Sequence, residues 1–304
     1  MSPLRGIALK LTSVVLFTVM ASLIKASSAH VPTGEAVFFR SFFAMPVIVV
    51  WLAMRGDLST GLKAKRPGLH VLRGLVGVTA MGCGFAALGL LPLPEVTAIG
   101  FAAPMMTVLL AAILLGERLR FFRLSAVILG LVGVTIVLWP RLTLDDVGGS
   151  AMLGVTLVLV SAVMRAMAQI QIRRMVATEE TSAIVFYFSL TATGFSLLTL
   201  PFGWVIPEAS VLLMLVGAGL IGGVAQIFLT SAYRFAGAAV VAPFDYASIL
   251  FAILFGYFFF DEAPSAMVLI GSAIVIAAGG IIIWRERQLG MQRGKARPNM
   301  TPQG

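Results

Sequence analysis

The chain has 304 residues, of which 12% are charged and 59% hydrophobic, against roughly a quarter charged in an average soluble domain. A water-soluble fold would lack the polar residues to cover its surface, so the composition places the chain in a lipid bilayer. One cysteine, Cys83, and two histidines exclude an intramolecular disulfide framework and leave no metal-ligand spacing, so neither metal nor cofactor is expected.

The opening segment, MSPLRGIALKLTSVVLFTVMASLIKASSAH, has the basic start, apolar run and small residues that also mark a cleaved signal peptide. Many equally long apolar segments follow, and Lys25 closes this one as an ordinary helix end would, so it is read as a first spanning helix. A helix needs about 20 mainly apolar residues to cross a hydrocarbon core of roughly 30 Å. Charged, Pro-rich and Gly-rich breaks divide the chain into ten such spans: 5–26, 34–54, 69–91, 94–115, 121–140, 150–172, 181–203, 210–233, 237–260 and 265–284. Two divisions are tight, LLPLPEV between the third and fourth spans and FDEAPSA between the ninth and tenth.

The connections sort by charge. One face receives Arg5, then Arg55, Lys63, Lys65, Arg66 and Arg73, then Arg118, Arg120 and Arg123, then Arg173 and Arg174, then Arg234, and finally the basic residues after 284. The other carries His30, Glu35, Glu95, Arg141 with Asp145 and Asp146, Glu208, Asp261 and Glu262. The positive-inside rule then puts both termini in the cytoplasm. The expected location is the cytoplasmic (inner) membrane, crossed many times. The net charge of +9 is thereby a topology signal, and no nucleic-acid partner is expected.

The chain also reads as two halves. The segment from Phe101 to Trp139 lies without gaps on that from Tyr246 to Trp284, aligning Glu117 with Glu262 and Trp139 with Trp284. Five spans precede the midpoint and five follow, and an odd number makes the halves enter the membrane from opposite sides. The expected fold is an all-α integral membrane protein of ten helices in two inverted five-helix repeats, 5–140 and 150–286, followed by a basic tail, 287–304. Inverted repeats supply two near-equivalent packings that expose a central cavity to one side and then the other. Small residues suit the moving contacts, as in GAGLIGG with Gly219 and Gly223 at GxxxG spacing.

Three motifs, EAVFFRSFFAMPVIV in the second span, GERL ending the fourth and FDEAP ending the ninth, together with the inverted repeat, resemble the drug/metabolite transporter superfamily in its ten-helix EamA-domain branch, over about residues 5–286. EAVFFRSFF, RPGLHVLRGL and APFDY further resemble a bacterial subgroup that includes carriers proposed for S-adenosylmethionine and for riboflavin. Where the former tend to have a basic residue in AP[FY]xY, this chain has Asp245. The resemblance implies a secondary carrier of small metabolites with a central cavity and no nucleotide hydrolysis.

Few polar residues remain inside the spans, and each needs a partner or a wet cavity. Arg40, about 9 Å deep at 1.5 Å per residue, is read as structural, snorkelling or capping carbonyls of a neighbouring helix; Lys25 is read as snorkelling. Arg165 and Asp245 both lie roughly 10 to 12 Å from the inner edge, and equal depth makes them a candidate ion pair, either gating or structural. Pro243 removes an amide donor beside Asp245, while Phe244 and Tyr246 bring aromatic surface to the same turn. Pro104 interrupts the fourth span near Phe101, and breaks at corresponding places in two repeats point to a carrier's site. Gln169 and Gln226 complete the candidate binding set of Asp245, Tyr246, Phe244, Arg165, Gln169, Gln226 and Phe101. Glu117 and Glu262 are read as helix caps, structural like Pro104 and Pro243.

The chain lacks HExxH, GxSxG and a Cys/His pair, so it is not read as an enzyme. The leading function is a secondary transporter; a channel or intramembrane enzyme is the competing class. The resemblance makes riboflavin the first substrate guess, with amino-acid or cationic-drug export, or S-adenosylmethionine carriage, as alternatives. Expected partners are the bilayer and a small-molecule substrate, with the chain a monomer or homodimer.

Overall fold

The computed structural model describes residues 3–115, 121–143, 149–175, 178–235 and 242–295. Its helices in chain order are α1 (Pro3–Ser27), α2 (Thr33–Met54), the one-turn α3 (Leu58–Gly61), α4 (Pro67–Leu90), α5 (Leu93–Gly100), α6 (Ala102–Leu115), α7 (Phe121–Thr143), α8 (Gly149–Met175), α9 (Thr181–Leu197), α10 (Ala209–Phe235), α11 (Ala247–Phe260) and α12 (Ala266–Lys295). Two 3-10 turns, Leu200–Phe202 and Ala242–Tyr246, interrupt the series. Among the described residues six helical segments are long and apolar enough to cross a membrane, and four shorter apolar stretches accompany them. The fold is an all-α membrane bundle of ten spans, with α5 and α6 sharing the fourth. Large apolar side chains such as Ile113, Leu213 and Phe258 are 72–76% exposed, as a lipid-facing surface requires.

Two expected boundaries move. The seventh span, α9, stops at Leu197 rather than 203, because Pro201 and Gly203 divert the chain into a 3-10 turn and a left-handed residue at φ 91°. The tenth span, α12, continues to Lys295, so the segment expected as a tail begins as helix.

Helix neighbours occur in matching sets. α1 lies along α10 and α8 along α4; α10 also packs on α2, and α4 on α9; α11 meets α1 as α6 meets α8. α2 against α9, and α7 against α12, close the two ends. Each contact maps onto its counterpart when helices at the same place in the two halves are exchanged, as an inverted repeat demands. Close approach is built into α10: a Cβ on Gly219 would lie 2.7 Å from Phe39 O, and one on Gly223 3.2 Å from Ala44 Cα. With little hydrophobic drive between helices inside lipid, such backbone contact supplies the packing energy.

Candidate functional site

The ninth span does not start as an α-helix. Asp245 sits in the 3-10 turn Ala242–Tyr246, whose backbone includes Pro243, and α11 begins only at Ala247. Its partner is Lys10 of α1: Lys10 Nζ lies 2.6 Å from Asp245 Oδ1, with the Lys10 side chain 2% exposed and that of Asp245 43% exposed. The pair expected from equal depth, Asp245 with Arg165, is not the one formed. Depth along a helix says nothing about which helix stands next to it, and the ninth span packs on α1. Lys10, the eighth residue of α1, escaped the sequence reading, although the rule that singled out Asp245, a charge inside an apolar run, applies equally to it.

In the other repeat the fourth span breaks at the matching place. α5 ends at Gly100 and α6 starts at Ala102, with Phe101 between them. Pro104 explains the position, since its ring excludes the carbonyl four residues earlier and it lacks an N–H, leaving it in the first turn of a new helix. Phe101 and Tyr246, aligned with each other by the repeat, stack with ring centroids 4.6 Å apart at 22°. The Tyr246 ring ends at Gly279 of α12, where any Cβ would collide with its hydroxyl, so the phenol is packed into the bundle. Phe244 is half-buried beside it. Arg165 is exposed, yet its Nη2 would lie 2.8 Å from a Cβ on Gly100. Arg165 thus lies against α5, beside the break in the fourth span. Gln169, one turn on, is exposed as well.

At the end of α1 lies a second charged cluster. Lys25 Nζ bonds Glu262 Oε1 at 2.8 Å and donates to the carbonyls of Leu88 at 3.1 Å and Leu91 at 2.8 Å. Glu262 Oε2 accepts the N–H of Leu93 at 2.8 Å, the first residue of α5. Glu262 is therefore a cap, but of α5 rather than of the helix that follows it, and Lys25 is bonded rather than snorkelling. Asp261, at φ 54°, turns the chain so that Glu262 reaches back. This clasp ties α1, α4 and α5 to the end of α11. Glu117 lies outside the described residues.

Carboxylates hold other connections. Glu35, expected in a loop, is 1% exposed and accepts Val205 N–H at 3.2 Å. Glu179, at the opposite face, accepts the N–H groups of Lys65 at 2.9 Å and Arg66 at 2.8 Å, and lies 3.2 Å from His70 Nε2. The Lys65 N–H leads in holding the Glu179 carboxyl below its usual range; burial opposes this, and His70 and Arg66 add to it.

Arg40 and Arg73 depart from expectation. Arg40 does not snorkel, being 7% exposed, and among the described residues it caps no carbonyl and its buried Nε has no partner. Arg73, expected in the basic connection with Lys65 and Arg66, lies within α4 and turns its guanidinium over Phe188. Gln226 lines a small cavity with Arg40 and Phe188.

The EamA-like transporter family profile matches residues 4–139 and again 152–284. The chain is similar to the Pseudopaline exporter CntI of Pseudomonas aeruginosa, at 32% identity over 285 residues covering 90% of this chain and 94% of that one. It is 27% identical to an S-adenosylmethionine uptake transporter of Rickettsia prowazekii, covering 94% of both chains. A riboflavin transporter of Rhizobium johnstonii is 28% identical, covering 84% of this chain and 82% of the relative. A solved crystal structure aligns with TM-score 0.67 at 23% identity, over 93% of this chain and 98% of that chain, and shares its fold.

Proposed function

As the chain belongs to the EamA-like transporter family, we propose that it is a secondary carrier moving a small polar metabolite across the cytoplasmic membrane by alternating access. The observation that carries the site is the Lys10–Asp245 pair at a break in the ninth span. A charge pair in lipid needs a strong reason. Here one partner is partly open, so a cationic or hydroxyl-rich group of a substrate, or a proton, has access to the aspartate and displaces Lys10. Losing that bond frees the turn before α11 from α1. Arg165 and Gln169 supply polar wall for the rest of the molecule, and the stacked Phe101 and Tyr246 tie the break in one repeat to the break in the other.

In this reading both termini are cytoplasmic, so the Lys25–Glu262 clasp lies at the outer face and ties α1, α4, α5 and α11 together there. Riboflavin is the first compound to try, supported by the resemblance and by a relative of that name. S-adenosylmethionine, pseudopaline and amino acids follow from the other relatives and from the acid and cations near the break.

The test is accumulation of these labelled compounds in inverted and right-side-out vesicles carrying wild type or Asp245→Asn. Uptake that shows counterflow, and is lost in Asp245→Asn at equal membrane abundance, is the expected result. Uptake unchanged by Asp245→Asn overturns the site. Flux without counterflow makes the protein a channel.

A further inference from the structure

Helices α2, α4 and α9 bring two guanidinium groups to one aromatic ring. Arg73 Cζ lies 4.6 Å and Arg40 Cζ 5.8 Å from the Phe188 centroid. Arg40 is 7% exposed; its Nε, and Nε and Nη1 of Arg73, are buried and have no hydrogen-bond partner among the described residues. Among the described residues neither arginine forms an ion pair. An aromatic face attracts a cation but carries no net charge, and two like charges brought together away from water raise each other's energy. The group calls for an anion.

Its surroundings bear on which one. Beside Arg40, Phe188, Gly222 and Gln226 is a cavity of ≈ 10 Å³, room for about one water molecule. Further along the same faces, at Val37 one turn from Arg40 and Phe195 two turns from Phe188, α2 and α9 join Val78 and Gly82 of α4 around a cavity of ≈ 270 Å³. That is below the roughly 300–1,000 Å³ of drug-sized pockets, and its walls there are mainly apolar.

We propose that Arg40 and Arg73 bind the carboxylate of a small acidic metabolite whose apolar body lies in the larger cavity. A carboxylate is flat, offers two acceptors to the guanidinium fork, and is slimmer than a phosphate or sulfonate, so it suits the narrow space and can be carried on an apolar body. The site is separate from the Lys10–Asp245 break. It rests on the carrier reading only in taking the ligand as cargo, because binding itself needs no transport.

Phenylacetate, an apolar body with one carboxylate, and its neutral counterpart phenylacetamide are the probes. The full-length protein in phosphatidylcholine nanodiscs is titrated with each at constant chloride, with binding read by calorimetry and by the shift in Tm. Phenylacetate binds saturably and raises Tm, and phenylacetamide does neither. Arg40→Gln and Arg73→Gln each weaken phenylacetate by at least about tenfold, as loss of a charge-assisted hydrogen bond does, and Arg73→Lys recovers part of it. Equal responses to the two probes overturn the proposal without recourse to any variant that folds poorly. So does phenylacetate binding that survives both glutamine substitutions. If phenylacetate fails to bind while phosphatidylglycerol nanodiscs raise Tm in an arginine-dependent way, the anion is a lipid headgroup and the cargo proposal falls. Arginine-dependent binding in a protein that transports nothing removes the carrier reading and leaves this site standing; transport without such binding does the reverse.

Discussion

Lys10 Nζ lies 2.6 Å from Asp245 Oδ1, joining the first span of one repeat to the interrupted start of the ninth span in the other. Lys10 is almost fully enclosed while Asp245 is 43% exposed, so the carboxylate is the partner that an incoming group reaches first. Breaking a fully buried pair by removing one partner costs about 3–5 kcal/mol; with Asp245 partly open, solvent screening reduces that to roughly 1–2 kcal/mol. Asp245→Asn is therefore expected to fold and reach the membrane while losing transport. Thermal unfolding measured beside vesicle uptake checks both halves: a large loss of Tm with normal uptake per folded molecule identifies a purely structural pair.

Tyr246 packs its ring between Phe101 and the bare backbone of Gly279. Gly279→Ala is expected to destabilise by about 1–3 kcal/mol, the usual range for overpacking. Tyr246→Leu, which removes the colliding ring, should make the double variant less destabilised than the two single effects added together. Denaturation of all three variants in detergent completes the cycle, and strict additivity would show that the contact carries no strain.

Glu262 serves two partners, the Lys25 ammonium and the Leu93 N–H. Glu262→Gln keeps an acceptor for Leu93 and loses the charge, whereas Glu262→Leu loses both and strands a backbone donor. The leucine variant should be less stable than the glutamine variant by roughly 1 kcal/mol or more. If the clasp closes one face, Lys25→Met should also raise the reactivity of a cysteine introduced at Val96 toward an impermeant maleimide, measured in a Cys83→Ala background. Unchanged labelling would limit the cluster to a structural cap.

Glu179 holds the 55–66 connection through the N–H groups of Lys65 and Arg66. Its carboxyl titrates below the 4.5 of an unperturbed glutamate, held there first by the Lys65 N–H. The stability it contributes is thus fully present above that value and drains away as pH falls below it toward the lowered folded pKa. Glu179→Gln should flatten the acid limb of a stability profile recorded from pH 7 downward. An acid limb identical to wild type would mean that other carboxylates set it.

The sequence by itself determined the membrane environment, the number of spans and the two helix breaks. Each follows from local chemistry: hydropathy summed over about 20 residues, and the missing N–H of Pro104 and Pro243. It also aligned Phe101 with Tyr246, the pair that the fold stacks. Only the tertiary structure decided partners. Arg165 and Lys10 are both cations within apolar helices, and counting residues at 1.5 Å each gives depth but neither the direction a side chain faces nor the neighbouring helix. That choice fell to Lys10 because the ninth span packs on α1. The same limit put Glu262 on α5 and turned Arg73 inward over Phe188, since long side chains reach across helix seams that exist only once the bundle is assembled.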